Sequence, residues 1–157
     1  MEKIVKKLIE NNETISTMES CTGGFIVSEI TNISGSSDIL KFSAVTYSNE
    51  YKIKFGVNKK TIDKYSVYSM EVACEMSKCI SKFTTSTYGI GITGKLGNID
   101  KNNLFGNNNV VFYSIYDSKN NQYYTGKLEV KNKIRRLCKK EICNDIKKLL
   151  YKILDIN

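Results

Sequence analysis

The sequence predicts a three-layer α/β/α sandwich, one domain over residues 1–157, with a mixed central sheet covered by helices on both faces. Three observations point there. Runs of strand character alternate with segments of helical periodicity, a Ser/Thr/Gly cluster joins the first strand to the following helix, and no internal repeat or linker divides the chain. With 41% hydrophobic and 25% charged residues, including 6 Phe and 10 Tyr, the composition supports a folded core. A domain of this length buries roughly 68–70% of the surface its unfolded chain exposes, so it can fold without staples.

The elements follow in chain order. Ile4, Val5, Leu8 and Ile9 repeat at helical spacing, Asn11-Asn12 stop that helix, and the β-branched run Thr14–Met18 makes a strand. The turn Glu19-Ser-Cys-Thr-Gly-Gly24 leads into a helix from Phe25 to Ile30, which puts its backbone amides at a helix N-terminus. Phe42–Tyr47 alternates as a strand, and the lysine-rich stretch Ser48–Tyr65 makes one or two short helices broken at Gly56. Ser69 caps a helix that buries Val72, Met76, Cys79 and Ile80 and ends near 81–84. Tyr88–Thr93 is a strand and Gly94–Asn109 a long polar loop. Val110–Tyr116 and Gln122–Val130 pair across Asp117–Asn121. The last helix carries an apolar stripe of Ile134, Leu137, Cys138, Ile142, Ile146, Leu149, Leu150 and Ile153.

Absences narrow the chemistry. The chain has no histidine, so a Ser-His-Asp triad, a Cys-His pair and a His-Glu-x-x-His zinc helix are all excluded, and any acid–base work near pH 7 falls to Lys, Tyr, Cys or a carboxylate. The net charge of +8 comes mostly from scattered lysines; of 24 cations only Arg135 and Arg136 are arginine, a pattern of solvated faces rather than a nucleic-acid footprint. The five cysteines form no C-x-x-C pair and read as reduced thiols of a cytoplasmic protein. Neither an export signal nor a membrane span is expected.

Gly89-Ile-Gly-Ile-Thr-Gly94-Lys95 imitates a dinucleotide fingerprint and most of a phosphate-binding loop. Both need a helix directly afterwards, and Leu96-Gly-Asn-Ile-Asp is a poor helix start, so these glycines are expected to serve close packing or a bulge within a strand.

Three polar segments at strand ends carry the chemistry: Glu19-Ser-Cys-Thr-Gly-Gly24, Thr46-Tyr-Ser-Asn-Glu-Tyr-Lys52 and Gly91-Ile-Thr-Gly94. With Gly56-Val57, Ser69 and Ile134-Arg-Arg136 they occur in an order that resembles the competence/damage-inducible CinA C-terminal domain family, whose members include nicotinamide-nucleotide amidohydrolases. The resemblance implies conversion of nicotinamide mononucleotide and water to nicotinic acid mononucleotide and ammonia, without metal or redox cofactor. It also implies Ser20 as nucleophile with Lys52 as its partner. Tyr47 and Thr93 match other active-site positions, and Arg135 or Arg136 a substrate-binding one.

The residue types agree with that chemistry. An amide carbonyl needs a nucleophile, a proton acceptor and an oxyanion site, and without imidazole the acceptor for Ser20 is a neutral lysine. Lys52 would have to fall from about 10.4 towards 7–8, which burial and a neighbouring cation can supply. One of the two arginines would bind the nucleotide phosphate; being adjacent, they face about 100° apart, so one of them is expected in the site. The amides of Cys21, Thr22, Gly23 and Gly24 would hold the oxyanion or the phosphate, with Gly94 lining the substrate. Tyr47 and Thr93 would relay a proton or orient the amide, and Cys21 is expected to pack.

Departures from the family pattern fall after Gly94. Lys95-Leu-Gly-Asn98 and an Asn-rich loop replace a Gly- and Pro-rich segment, Lys131 stands at an arginine position, and the chain has no proline. The expectation is a stand-alone amidohydrolase with a small nucleotide as partner, no nucleic acid or membrane, and homo-oligomerisation left open. The alternative is a catalytically lapsed nucleotide-binding or regulatory member.

Overall fold

The computed structural model describes residues 1–97, 103 and 106–156. Strand β1 (Ile15–Glu19) is buried along its whole length and pairs in parallel on both sides, with β2 (Leu40–Val45) and β3 (Tyr88–Gly94). Strands β4 (Val110–Asp117) and β5 (Gln122–Glu129) continue beyond β3 as antiparallel neighbours. The resulting five-stranded mixed sheet has the order β2-β1-β3-β4-β5. One face is covered by α1 (Glu2–Glu10), α2 (Phe25–Thr31), the short α3 (Ser36–Ile39) and α7 (Arg135–Ile153). The other carries α5 (Lys59–Tyr65), α6 (Met70–Thr84) and the turn that follows α4 (Asn49–Lys54).

Strand alternation divides the core in two. Ile15, Ile90, Ile92, Val111 and Ile115 pack towards the α1/α2/α7 layer, whereas Met18 and Ala44 pack towards α6. On the α6 side β3 presents Gly89 and Gly91. A methyl group there would run into the carbonyls of Ser77 and Ala73, so the helix lies directly against the strand. The glycines that imitate a nucleotide motif are therefore packing residues, as expected.

The close approach corrects one expectation. The stripe of α6 that faces the glycines is Ala73, Ser77 and Ser81, small residues spaced by four, while Cys79 is only partly buried on the flank beneath Gly56. Ser77 stays satisfied by donating to the Cys74 carbonyl (2.8 Å), with its oxygen 3.0 Å from the Ser114 hydroxyl, and Ser81 by donating to the Ser86 carbonyl (2.8 Å). Ser69 caps α6 as its sequence position predicts, accepting from Val72 N.

The last helix needs a similar correction. Cys138, Ile142, Ile146 and Leu150 form its buried stripe, but Leu137 lies about 100° off that stripe and Ile134 precedes the helix as its N-cap, and both are exposed. Strand β2 starts and ends two residues earlier than expected, so Thr46 and Tyr47 leave the sheet at its carboxyl end.

The crossover from β1 to β2 uses α2 and α3 on one face, and that from β2 to β3 uses α4 to α6 on the other, to the opposite side of β1. The two connections thus diverge at the carboxyl end of β1. Such a divergence opens a crevice where α/β sheets bind ligands.

Candidate active site

The crevice is built from the end of β1. Glu19 points away from solvent and accepts hydrogen bonds from the amides of Gly24 (3.0 Å), Ile26 (3.2 Å) and Val27 (2.9 Å), while Thr17 Oγ1 donates to its other side (3.2 Å). Helix α2 begins at Gly24, which has no side chain to cap it, so the carboxylate at the strand end does so. Gly23 (φ +61°) and Gly24 (φ +88°) take the left-handed conformation that reverses the chain within the turn. Ser20 sits at its apex, held by its own N–H on the Ile92 carbonyl (3.1 Å).

Lys52 reaches Ser20 from α4. Ser48 caps this short helix by accepting from Tyr51 N, and Lys52 turns inward until it is 1% exposed. Its Nζ donates to Ser20 Oγ (3.0 Å) and to the Thr46 carbonyl (2.7 Å). Thr46 in turn donates its N–H to the Glu19 carbonyl (2.9 Å), which fixes the end of β2 against the end of β1. The two residues that the sequence pairs, 32 positions apart, are in hydrogen-bond contact.

The remaining predicted residues are placed unequally. Cys21 is buried, and its thiol is pushed up to about 12 by burial, which outweighs the opposing pull of the Lys52 and Arg135 charges. It packs, as expected. Thr93 is buried and its hydroxyl proton goes to the Val67 carbonyl (2.8 Å). Tyr47 is 65% exposed, and its phenol oxygen accepts from Arg135 Nη2 (3.3 Å); Arg135 Nη1 donates to the Leu96 carbonyl. Arg136 is exposed and makes no hydrogen bond or ion pair among the described residues, so Arg135 alone of the pair reaches the crevice.

The turn amides correct the expected anion site. The Gly23 N–H donates to the Ser20 carbonyl (3.0 Å) and the Gly24 N–H to Glu19. That leaves the amides of Cys21 and Thr22 without a carbonyl or carboxylate acceptor among the described residues. The Thr22 and Thr46 hydroxyls are also buried without a partner there. At Gly94 an added methyl would come within 2.7 Å of the Val110 carbonyl, so this glycine lets β3 end tightly against β4. The Gly94–Asn109 loop lies partly outside the described residues.

Two residues were missed in the sequence. Glu19 could have been found as a carboxylate at a strand end, just before a helix with a glycine cap. Lys139, one turn after Arg135 on α7, lies with its Nζ 3.2 Å from where a Cβ of Gly23 would be.

The model of the CinA C-terminal domain matches residues 1–149. This chain belongs to the CinA C-terminal domain family. Among curated relatives, a competence-damage inducible protein from Alkaliphilus oremlandii is 48% identical over 99 residues, 62% of this chain and 24% of that protein. One from Clostridium novyi is 44% identical over 97 residues, 61% of this chain and 23% of its own length. The matched part thus spans about a quarter of these CinA relatives. A CinA superfamily protein from Klebsiella pneumoniae has the same fold, with a TM-score of 0.88 at 20% identity, covering 98% of this chain and 94% of that one. A competence or damage-inducible protein from Enterobacter asburiae superposes with a TM-score of 0.85 at 20% identity, covering 96% and 93%. No helix among the described residues of this CinA-family chain is long and apolar enough to cross a membrane.

Proposed function

We propose that this CinA-family chain is an amidohydrolase that deamidates nicotinamide mononucleotide to nicotinic acid mononucleotide and ammonia. The observation that carries the reading is the 3.0 Å contact between Lys52 Nζ and Ser20 Oγ, in a setting where the amine is 1% exposed. An amine withdrawn from water and held against the hydroxyl is placed to take its proton. The distance is that of a proton-transfer pair.

Ser20 Oγ attacks the carboxamide carbon as its proton passes to Lys52 Nζ. The tetrahedral oxyanion is received by the Cys21 and Thr22 amides. Its collapse breaks the C–N bond, Lys52 returns the proton to the leaving nitrogen, and ammonia departs. Water then attacks the acyl ester, giving its proton to Lys52, and Ser20 recovers a proton as the carboxylate leaves. Thr46 steadies the amine through its carbonyl, and Arg135 holds the Tyr47 phenol by a hydrogen bond.

The test is ammonia release from nicotinamide mononucleotide by the purified protein. Release that disappears in Ser20→Ala supports the reading. No release from the wild type, or undiminished release from Ser20→Ala, overturns it.

A further inference from the structure

Among the described residues two lysines are buried, Lys52 and Lys95, and they behave differently. Lys52 is tied to Ser20 and Thr46. Lys95 is 9% exposed, and its amine makes no hydrogen bond or ion pair among the described residues. A cation withdrawn from water without a partner is unfavourable in the empty protein, so an anion that enters beside it is favoured. Lys95 also ends the Gly89–Lys95 run that imitates a phosphate-binding loop, and the packing of the glycines leaves this lysine unexplained.

Its direction follows from the sheet. The pairing of β3 with β4 continues past Gly94, because the Lys95 N–H donates to the Val110 carbonyl (3.1 Å). Strand alternation therefore puts Lys95 on the face of Gly89, Gly91 and Thr93, which meet α6 and Val67. Leu96 agrees, since it packs into the opposite layer with α7. The Lys95 face is also the one from which Lys52 reaches Ser20, for the turn after α4 packs there. Glu19 pairs with Ile92, which sets Ser20 level with Thr93 and Lys95 two residues, about 7 Å, further along the strand. A four-carbon stem spans that distance. Glu19 cannot neutralise the amine, because its oxygens are turned to the α2 amides on the other face.

We propose that Lys95 is a specificity-determining residue that holds the carboxylate formed at the reacting carbon, so that the site binds the acid product more tightly than the amide substrate. This rests on the amidohydrolase reading for the identity of the ligands. The carboxamide is neutral and gains little from a cation, whereas the acid brings a full charge to it. Calorimetric titration of Ser20→Ala protein with nicotinamide mononucleotide and nicotinic acid mononucleotide tests the preference without turnover, and since both ligands carry the phosphate, their ratio isolates the carboxylate. The acid should bind about tenfold or more tighter, the range of a charge-assisted hydrogen bond. In Ser20→Ala/Lys95→Met the ratio should fall to about one, and Lys95→Arg should keep the preference. In the empty protein Lys95→Met should raise the urea midpoint by removing an unpaired charge; a lowered midpoint would make Lys95 a packing residue and overturn the proposal. It is equally overturned if the acid has no advantage over the amide, or if that advantage survives Lys95→Met. Should the acid be preferred through Lys95 while the wild type releases no ammonia, the amidohydrolase reading falls and the carboxylate site stands; ammonia release with equal binding of the two nucleotides gives the reverse.

Discussion

Glu19 and Cys21 flank Ser20, the proposed nucleophile, and do opposite things. The Glu19 carboxylate serves three amides and so fixes the turn that presents Ser20. In Glu19→Gln one oxygen becomes an amino group facing N–H donors, and the expected cost is about 1–3 kcal/mol. A lowered urea midpoint measures it, and kcat should fall as the turn that carries Ser20 is displaced. Cys21 is different. With its thiol pushed up to about 12, almost none is thiolate at neutral pH. Cys21→Ala should therefore keep kcat within about threefold of wild type, and iodoacetamide at pH 8 should leave activity intact. Loss of activity in either experiment would make the cysteine a participant.

The contact of α6 on β3 depends on what is missing from Gly89 and Gly91. Gly91→Ala would push a methyl into the Ala73 carbonyl and is expected to destabilise by about 3 kcal/mol or more, read as a lowered denaturation midpoint. The glycines were legible in the sequence as packing residues, because no helix start follows them. The helix that exploits them is less legible. Periodicity marks Cys79 as core, yet a helix pressed against glycines needs small residues on the contact stripe, and serines at 77 and 81 look polar until their partners are seen. Leu137 is assigned to the stripe by periodicity alone, because an apolar residue beside a stripe cannot be told from one on it without knowing where the helix begins. Four-residue α3 left no periodicity to detect. The Ser20–Lys52 pairing was legible from the resemblance of the motifs, whereas Glu19 and Lys139 are recognisable only once the turn and α7 are brought together.

Taken as a whole molecule, the core holds several acids in their neutral form. Burial raises the Cys143 thiol to about 11 and the Cys21 thiol to about 12, and it also raises Tyr113, whose phenol donates to Asp145 on α7 (2.6 Å). In the unfolded chain these groups ionise from about 8.5 to 10. Each folded value lies above its unfolded one, so above that range the unfolded state releases protons that the folded state retains. Stability should therefore be fully present below about pH 8 and decline as pH rises towards 11. Urea midpoints at pH 7.5 and 10 measure this decline, and it should be shallower in Cys21→Ala. The same architecture places the Ser20–Lys52 pair where the two crossovers diverge, with the amine on one connection and the hydroxyl on the other. The most direct measurement is thus ammonia release from nicotinamide mononucleotide by Lys52→Met. The proposed chemistry predicts a fall of about 100-fold or more with the fold intact by circular dichroism. A folded Lys52→Met protein that works within about threefold of wild type would contradict it, since a proton acceptor cannot be so dispensable.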